Sequence, residues 1–494
     1  MTENKFNLID EKWIPVTDKG KVSLRTIFTD ETITALGGNP IEKIAVFKLL
    51  LAIAQSAYTP ENETEWKKIG VKGVQDKILE YLDKHYDCFW LYGENPFLQM
   101  KDAKKAKKYS FGELQMEIAT GNTSVVTEIQ AEKEIDDSEK AMLVLLLMGV
   151  AFGSKKADNS VVLTSGYTGK TNEKGNPSTP KFGSSLGYQG MLHSFVFTTS
   201  ILNSIYFNIF TQNRISEIKI YPNGVGIAPW ERMPVGENDD IAKSLKSSYM
   251  GRLIPINRFV LIDEDGIHNT EGITHPSYEN YVVDPSVTVF FNAKPKPKVL
   301  WVDPEKKPWR MLTSMLSFWS TSKSDNFKCF QLENVLERKK DMTVFSIWSG
   351  GVRVSSNAGE QYLTGTDNFV ESEVMLSSDL IGESFYGYLE NEMKYWEENA
   401  DILYKSIFHY FSELHNEGKS LAVQGTNLYW QLCEGEFQTL NDICYGNPEK
   451  RYELRKKIRS YALQIYNEQC PNLTARQLEA WAKNRPVIKI KEEN

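Results

Sequence analysis

The chain has little cysteine and little histidine, and neither type is grouped. Its five cysteines (Cys88, Cys329, Cys433, Cys444, Cys470) are odd in number, widely spread and never spaced as CxxC. That pattern excludes a disulfide framework and a zinc ribbon, and it fits a reducing cytoplasm. The six histidines (His85, His193, His268, His275, His409, His415) form no HxH, HExxH or HD pair, so no metal site is expected. His409 and His415 stand six residues apart, off one helical face, and read as bundle-surface groups. There is no GxSxG and no Cys/His pair with a local signature, so no catalytic residue is nominated and the chain is not read as an enzyme. Long apolar runs are lacking too. The longest, Ala141 to Phe152, is about 12 residues, too short to cross a bilayer and suited to a buried helix. The start, MTENKFNLIDEKW, lacks the basic and apolar regions of a signal peptide, and no membrane partner is expected.

An excess of positive charge is missing as well. The formal charge is −8, which argues against a protein that coats nucleic acid unaided, because phosphate neutralisation needs clustered Lys and Arg. Local basic runs do occur at Lys101–Lys108, Lys294–Lys298, Arg338–Lys340 and Lys450–Arg459, each readable as a solvated face or a local contact.

What is present is an ordinary globular composition, 41% hydrophobic and 25% charged, over a length of 494 residues that calls for at least two domains. The start alternates apolar and polar residues around Asp18-Lys19-Gly20 and predicts a hairpin. Residues Ile41 to Tyr58 are apolar on most of their circumference and predict a central core helix. Ser110–Ala119 and Ser138–Phe152 read as helices, with a long loop, Asn122 to Asp137, between them. SFVFTTSILNSIYFNIF begins like a strand and ends like a helix. GRLIPINRFVLID and NYVVDPSVTVFFN suggest strands, PWRMLTSMLSFW starts with the proline of a first helical turn, and TVFSIWSGGVRVSSNAGEQY suggests a hairpin. From about Asp379 the pattern becomes helical. Phe385, Leu389, Met393, Trp396, Leu403, Ile407, Phe411 and Leu414 form one stripe, Gly418 ends it, and Asn427–Cys433, Arg451–Asn467 and Thr474–Lys483 supply three more helices. The expected fold is therefore α+β: a large mixed N-terminal domain with short sheets and loops, residues 1–378, then a C-terminal four-helix bundle, residues 379–494.

GYTGKT within Thr164–Gly190 invites comparison with a phosphate-binding loop. A Walker A loop needs GxxxxGK[ST] and a helix starting at its lysine. Here Thr164 stands where the first glycine belongs, and NEKGNPSTP follows Lys170-Thr171. A nucleotide hydrolase built on Lys170 is thus the alternative reading, and no cofactor is nominated. Glycine-rich and turn-rich loops on a rigid scaffold suit recognition instead.

The segments FNLIDEKWIPV (Phe6–Val16), Ser23-Leu24-Arg25 and Lys48–Ala54 resemble the opening of the CasA family, the large subunit of the type I-E CRISPR Cascade complex. Asn95-Pro96-Phe97-Leu98-Gln99, Leu202–Asn208, Asp284-Pro285, Trp309-Arg310 and Gly350–Arg353 follow in the family's order, and a helical bundle ends the chain. The resemblance implies a non-catalytic subunit that works with other Cascade subunits, a guide RNA and double-stranded target DNA. It also implies recognition of a protospacer-adjacent motif (PAM) through the minor groove, a hairpin wedge that starts strand separation, and recruitment of a separate helicase-nuclease. Carried over, the glycine loop corresponds to Phe182, Gly183, Ser184 and Ser185, with Gly166 and Gly169 as a competing placement. The wedge corresponds to Ser355, Ser356, Asn357 and Ala358 after Arg353, and the loop near the guide-RNA handle to Asn122, Thr123 and Ser124. No lysine lies between Lys246 and Lys294, so Arg258, His275 or Lys294 stands in for the family's lysine finger. The insertion 154–180 and the preferred PAM are left open, as is a purely structural role in the same complex.

Overall fold

The computed structural model describes residues 3–115, 134–151, 190–319, 327–357, 360–363, 368–444, 446 and 448–490. The chain divides into two compact units: Met1–Trp309 with Phe327–Glu373, and Arg310–Asn326 with Val374–Asn494. The α+β reading holds, with many helices, short sheets and C-terminal helices.

In the first unit the helix Pro40–Ala57 is the organising element. Pro40 presets its first turn, and Asn39 and Glu42 form a reciprocal capping box. Nearly every side chain along it is buried, including Phe47, Leu50 and Leu51. Each large apolar side chain so buried contributes about 1.5–3 kcal/mol. The predicted hairpin forms from Ile14–Val16 and Gly20–Val22, with Asp18 at φ 70° and Gly20 at φ 71° in the turn. The helix Asp137–Gly149 takes in most of the apolar run after a polar first turn.

Several expectations differ from the structure. Glu63–Lys84 is a helix that the glycines at 70 and 73 obscure, and Gly70 leaves helical geometry at φ 64°. The helix predicted from Ser110 covers just Phe111–Leu114 among the described residues. NYVVDPSVTVFFN yields the two-residue strand Val289–Phe290 and a single bridge at Val287, because Asp284 and Ser286 are committed to a buried polar cluster. Residues Val344–Val352 do not fold back on Ser355–Tyr362. They form the middle strand of a three-stranded sheet between His193–Phe197 and Phe369–Ser377, and the hairpin is confined to Ser355–Asn357 and Glu360–Tyr362. The middle strand is buried from Phe345 onward, as a strand covered on both faces must be.

The second unit is helical: Glu383–Glu413, Lys419–Ile443, Pro448–Gln469 and Ala475–Lys483, with Leu312–Met315 added from the earlier segment. The helix expected over Asn427–Cys433 runs for 25 residues, its apolar period diluted by Gly425, Gly435 and glutamines. Leu389, Trp396, Leu403 and Ile407 are all buried, as the stripe requires, while His409 and His415 are exposed. Arg455 donates from Nε to Glu392 at 3.0 Å inside this unit, and Arg310 stacks its guanidinium on Trp430 at 3.7 Å. None of the five cysteines is in a disulfide. Among the described residues, no helix is long and apolar enough to cross a membrane, and no group of three His, Cys, Asp or Glu is placed to hold a metal ion.

Candidate nucleic-acid interface

The middle strand Val344–Val352 carries Gly350-Gly351 just before its last residue, and three backbone segments converge there. His193 pairs with Gly350 in antiparallel register. At Gly351 the strand passes so close to its neighbours that a Cβ would lie 2.7 Å from the Val302 side chain and 2.9 Å from the Met191 carbonyl. Gly190, where the glycine-rich stretch re-enters the described residues, has φ +70°, and a Cβ there would meet the Val352 carbonyl at 3.0 Å and the Val354 amide at 3.2 Å. A side chain at Gly190 is therefore opposed twice, by backbone conformation and by the neighbouring strand. Val302 N–H completes the junction by donating to the Gly190 carbonyl at 2.7 Å.

From this junction the chain continues through exposed Arg353, whose N–H donates to Asn368 O at 2.9 Å, into the hairpin. Ser355 pairs with Tyr362, Ser356 with Gln361 and Asn357 with Glu360. The stem of the expected wedge and the exit of the expected glycine loop thus emerge side by side from one end of one sheet. Ala358 lies outside the described residues, as do Phe182, Gly183, Ser184 and Ser185, the competing Gly166 and Gly169, Lys170, and Asn122, Thr123 and Ser124. Of the three groups considered for the lysine finger, two are core residues. Arg258 is buried and donates to Glu271 at 3.3 Å, and His275 is buried against the Pro255 carbonyl at 2.6 Å. Lys294 is exposed.

Beneath the sheet end lies a polar cluster that sequence reasoning missed. Lys48, a single cation inside the apolar helix, pairs with Asp284 and donates to Arg252 O at 3.0 Å. Asp284 accepts from the Ser286 hydroxyl at 2.7 Å and the Ser286 N–H at 3.0 Å. Ser286 in turn meets His193 Nδ1 at 2.9 Å, and its carbonyl accepts from Ser194 N–H at 2.8 Å. The Ser194 and Ser349 hydroxyls join the two strands at 2.8 Å. Burial on its own would raise the Asp284 carboxyl, but the Lys48 ammonium overrides it and holds the carboxyl at about 2. Burial pushes His193 down to about 3, so its imidazole is neutral. A serine, a histidine and an aspartate meet here, yet Ser286 and His193 are sealed from solvent. Their geometry ties the strand His193–Phe197 to the segment after Asp284 and so fixes the sheet end from below. The signal in the sequence was a lone Lys in IAVFKLLLAIA, since a charge at such a position must be paired.

The opposite edge is tied as well. Glu371 accepts from Trp348 Nε1 at 2.9 Å and pairs with Lys43 at 2.8 Å. A charge-assisted contact of this kind fixes position more than it adds stability.

Comparison with known proteins adds to this geometry. A family model described as CRISPR-associated protein Cse1 (CRISPR_cse1) matches residues 7–465. The chain is 30% identical over 154 residues to CRISPR-associated protein CasA/Cse1 of Thermus thermophilus, a stretch covering 29% of this chain and 30% of the relative's length. Among solved structures, Thermobifida fusca Cse1 matches with a TM-score of 0.75 at 17% identity, over 98% of this chain and 97% of that one. A crystal structure of CasA from Thermus thermophilus matches with a TM-score of 0.72 at 20% identity, over 97% and 98%. A chain of a structure titled as a CRISPR RNA-guided surveillance complex matches with a TM-score of 0.66 at 13% identity, over 98% and 99%.

Proposed function

The chain belongs to the CRISPR-associated protein Cse1 family, and from that premise we propose that it is the large, non-catalytic subunit of a type I-E Cascade complex. In that reading it works beside other Cascade subunits and a guide RNA in the cytoplasm. It engages duplex DNA at a PAM, begins strand separation with the hairpin Ser355–Tyr362, and helps recruit a separate helicase-nuclease. The observation that carries the reading is the junction at Gly190, Gly351 and Val352, where two backbone elements leave one sheet end together. Two projections held on a rigid edge suit a narrow groove with a degenerate code, which is read by close approach and shape. A net charge of −8 suits a subunit that supplies local contacts while partners carry most of the affinity.

The assembled complex is expected to bind PAM-containing duplexes more tightly than duplexes without the motif, and the isolated chain to bind DNA weakly and in a salt-sensitive way. Replacing Ser356 and Asn357 by Gly should slow duplex opening, read by 2-aminopurine beside the PAM, more than it weakens assembly with guide RNA. Equal affinity for both duplexes would reduce the chain to a purely structural subunit. An unchanged opening rate would remove the wedge from this hairpin.

A further inference from the structure

Beside the junction stands a large aromatic side chain that the core does not absorb. Trp301 is 41% exposed. Its backbone is bridged to Met191, and the next residue, Val302, touches both Gly190 and Gly351. The indole is supported from one side by Tyr278, edge-on at 5.9 Å. Tyr278 and Met191 belong to a buried cluster with Val283, Val287, Val289 and Val299, so the platform has a packed floor. Tyr281, in the same turn as Tyr278, is 51% exposed and holds φ 63°, a conformation rare for a bulky residue.

The segment that carries Trp301 is rich in lysine. Residues 292–308 hold five lysines against Asp303 and Glu305. Lys296 is engaged by Glu279, and Asp303 is turned into its own loop by accepting from Glu305 N–H at 3.1 Å. Lys294, Lys298 and Lys306 are exposed.

We infer that Trp301 is a stacking platform for an unpaired DNA base, with Lys298 and Lys294 meeting the adjoining phosphates. An exposed aromatic side chain in a lysine-rich segment suits binding of single-stranded nucleic acid without reading its sequence, because every base has a π-face. Its place beside the hairpin stem is where a strand freed from the duplex would pass. In that respect the inference rests on the reading of this sheet end as the DNA-facing edge.

The test uses the full-length chain and a fluorescein-labelled oligodeoxythymidine of about 12 nucleotides at low salt, a length within the usual site sizes for single strands. Trp301→Ala should weaken binding about tenfold, the loss of one base–aromatic stack. Trp301→Phe keeps a ring and should stay within about threefold of the unchanged chain, while the tryptophan quenching that accompanies binding falls. Trp301→Ala binding within twofold of the unchanged chain overturns the inference. So does a Trp301→Phe variant as weak as Trp301→Ala, which would show that shape and not stacking matters. Should Trp301→Ala fail to fold, the Phe variant decides alone: undiminished quenching on binding places the base elsewhere. PAM discrimination by the assembled complex is measured separately. Loss of that discrimination in the unchanged complex refutes the functional reading, whereas intact discrimination with indifferent Trp301 variants refutes the platform alone.

Discussion

The two units each bury an ion pair, and the pairs do different work. In the helical unit Arg455 and Glu392 lie 63 residues apart and join two helices whose apolar stripes already face each other. In the first unit Lys48 and Asp284 lie 236 residues apart, and the pair anchors a segment with almost no regular structure of its own. Ser286 and His193 extend that anchor to the sheet end that carries Gly190 and the hairpin stem. A buried pair among packed helices adds register to an arrangement that apolar burial already favours. A buried pair under short strands and loops is a substitute for the regular structure that is missing.

The sharpest way to break this contrast is to remove the cation. Lys48→Met leaves Asp284 buried without its counter-charge and should cost about 3–5 kcal/mol in denaturant unfolding. The double variant with Asp284→Asn should recover most of that loss, because both charges then leave together and the amide oxygen still accepts from Ser286. Hydrogen exchange read by peptide should show protection falling around 190–197 and 350–354. Arg455→Met should lose protection in the helical unit alone. If Lys48→Met left the peptides around 190–197 unaffected, the anchoring role would be wrong.

Acid should separate the units next. Burial, with the Lys48 cation adding to it, keeps His193 neutral down to about pH 3, and Asp284 opposes the shift. Burial does the same for His275, with Arg252 and Lys246 adding and the Pro255 carbonyl opposing. In the unfolded chain both would take a proton near pH 6.5. Native pKa values below the unfolded ones mean that stability is full above about pH 6.5 and drains as pH falls towards about 3. The loss between pH 7 and pH 5 is about 2 kcal/mol for each histidine. The Asp284 carboxyl works in the other window, its contribution lasting until pH falls below about 4 towards 2. The two histidines of the helical unit, His409 and His415, are exposed. Unfolding followed at pH 7, 6 and 5 should show the first unit weakening and the second holding. His193→Asn should remove about half of the acid loss, and equal weakening of both units would contradict the assignment.

What could be read from the sequence divides along the same line. Phe385 through Ile407 repeat at helical spacing, so their stripe could be drawn without knowing any distant contact, and the burial of Leu389, Trp396 and Ile407 follows from it. The helix Pro40–Ala57 was equally plain. The pairing of Val344–Val352 was not, because its partner strand begins at His193, and local alternation cannot distinguish a hairpin from a central strand. Lys48 was visible as an oddity, but its partner was not, since no local pattern marks Asp284, 236 residues away, as the place where that charge is met. Of the residues nominated for the site, Arg353 precedes the hairpin and Ser355 opens its first strand. Trp301 was missed because an exposed tryptophan looks like any other aromatic until its surroundings are known.

The smallest test lies at the end of the helical unit. Ala475–Lys483 is a nine-residue helix with Ala480 as its buried side chain, too short to persist on propensity alone. Thr474 and Gln477 close a capping box at its start. Arg476 donates to Glu413 O at 3.3 Å, Lys483 pairs with Glu413 at 2.8 Å, and Tyr466 donates to Trp481 O at 2.9 Å. These contacts are few and mostly exposed, and a surface ion pair adds little. Thr474→Ala should therefore cost about 1 kcal/mol and appear as faster exchange in 475–483. If the helical unit is held by its long apolar stripes, the peptides around Leu389 and Trp396 should keep their protection. Loss that spread to them would mean that the terminal helix braces the bundle, and the unit would then depend on a distant tie as the sheet end depends on Lys48.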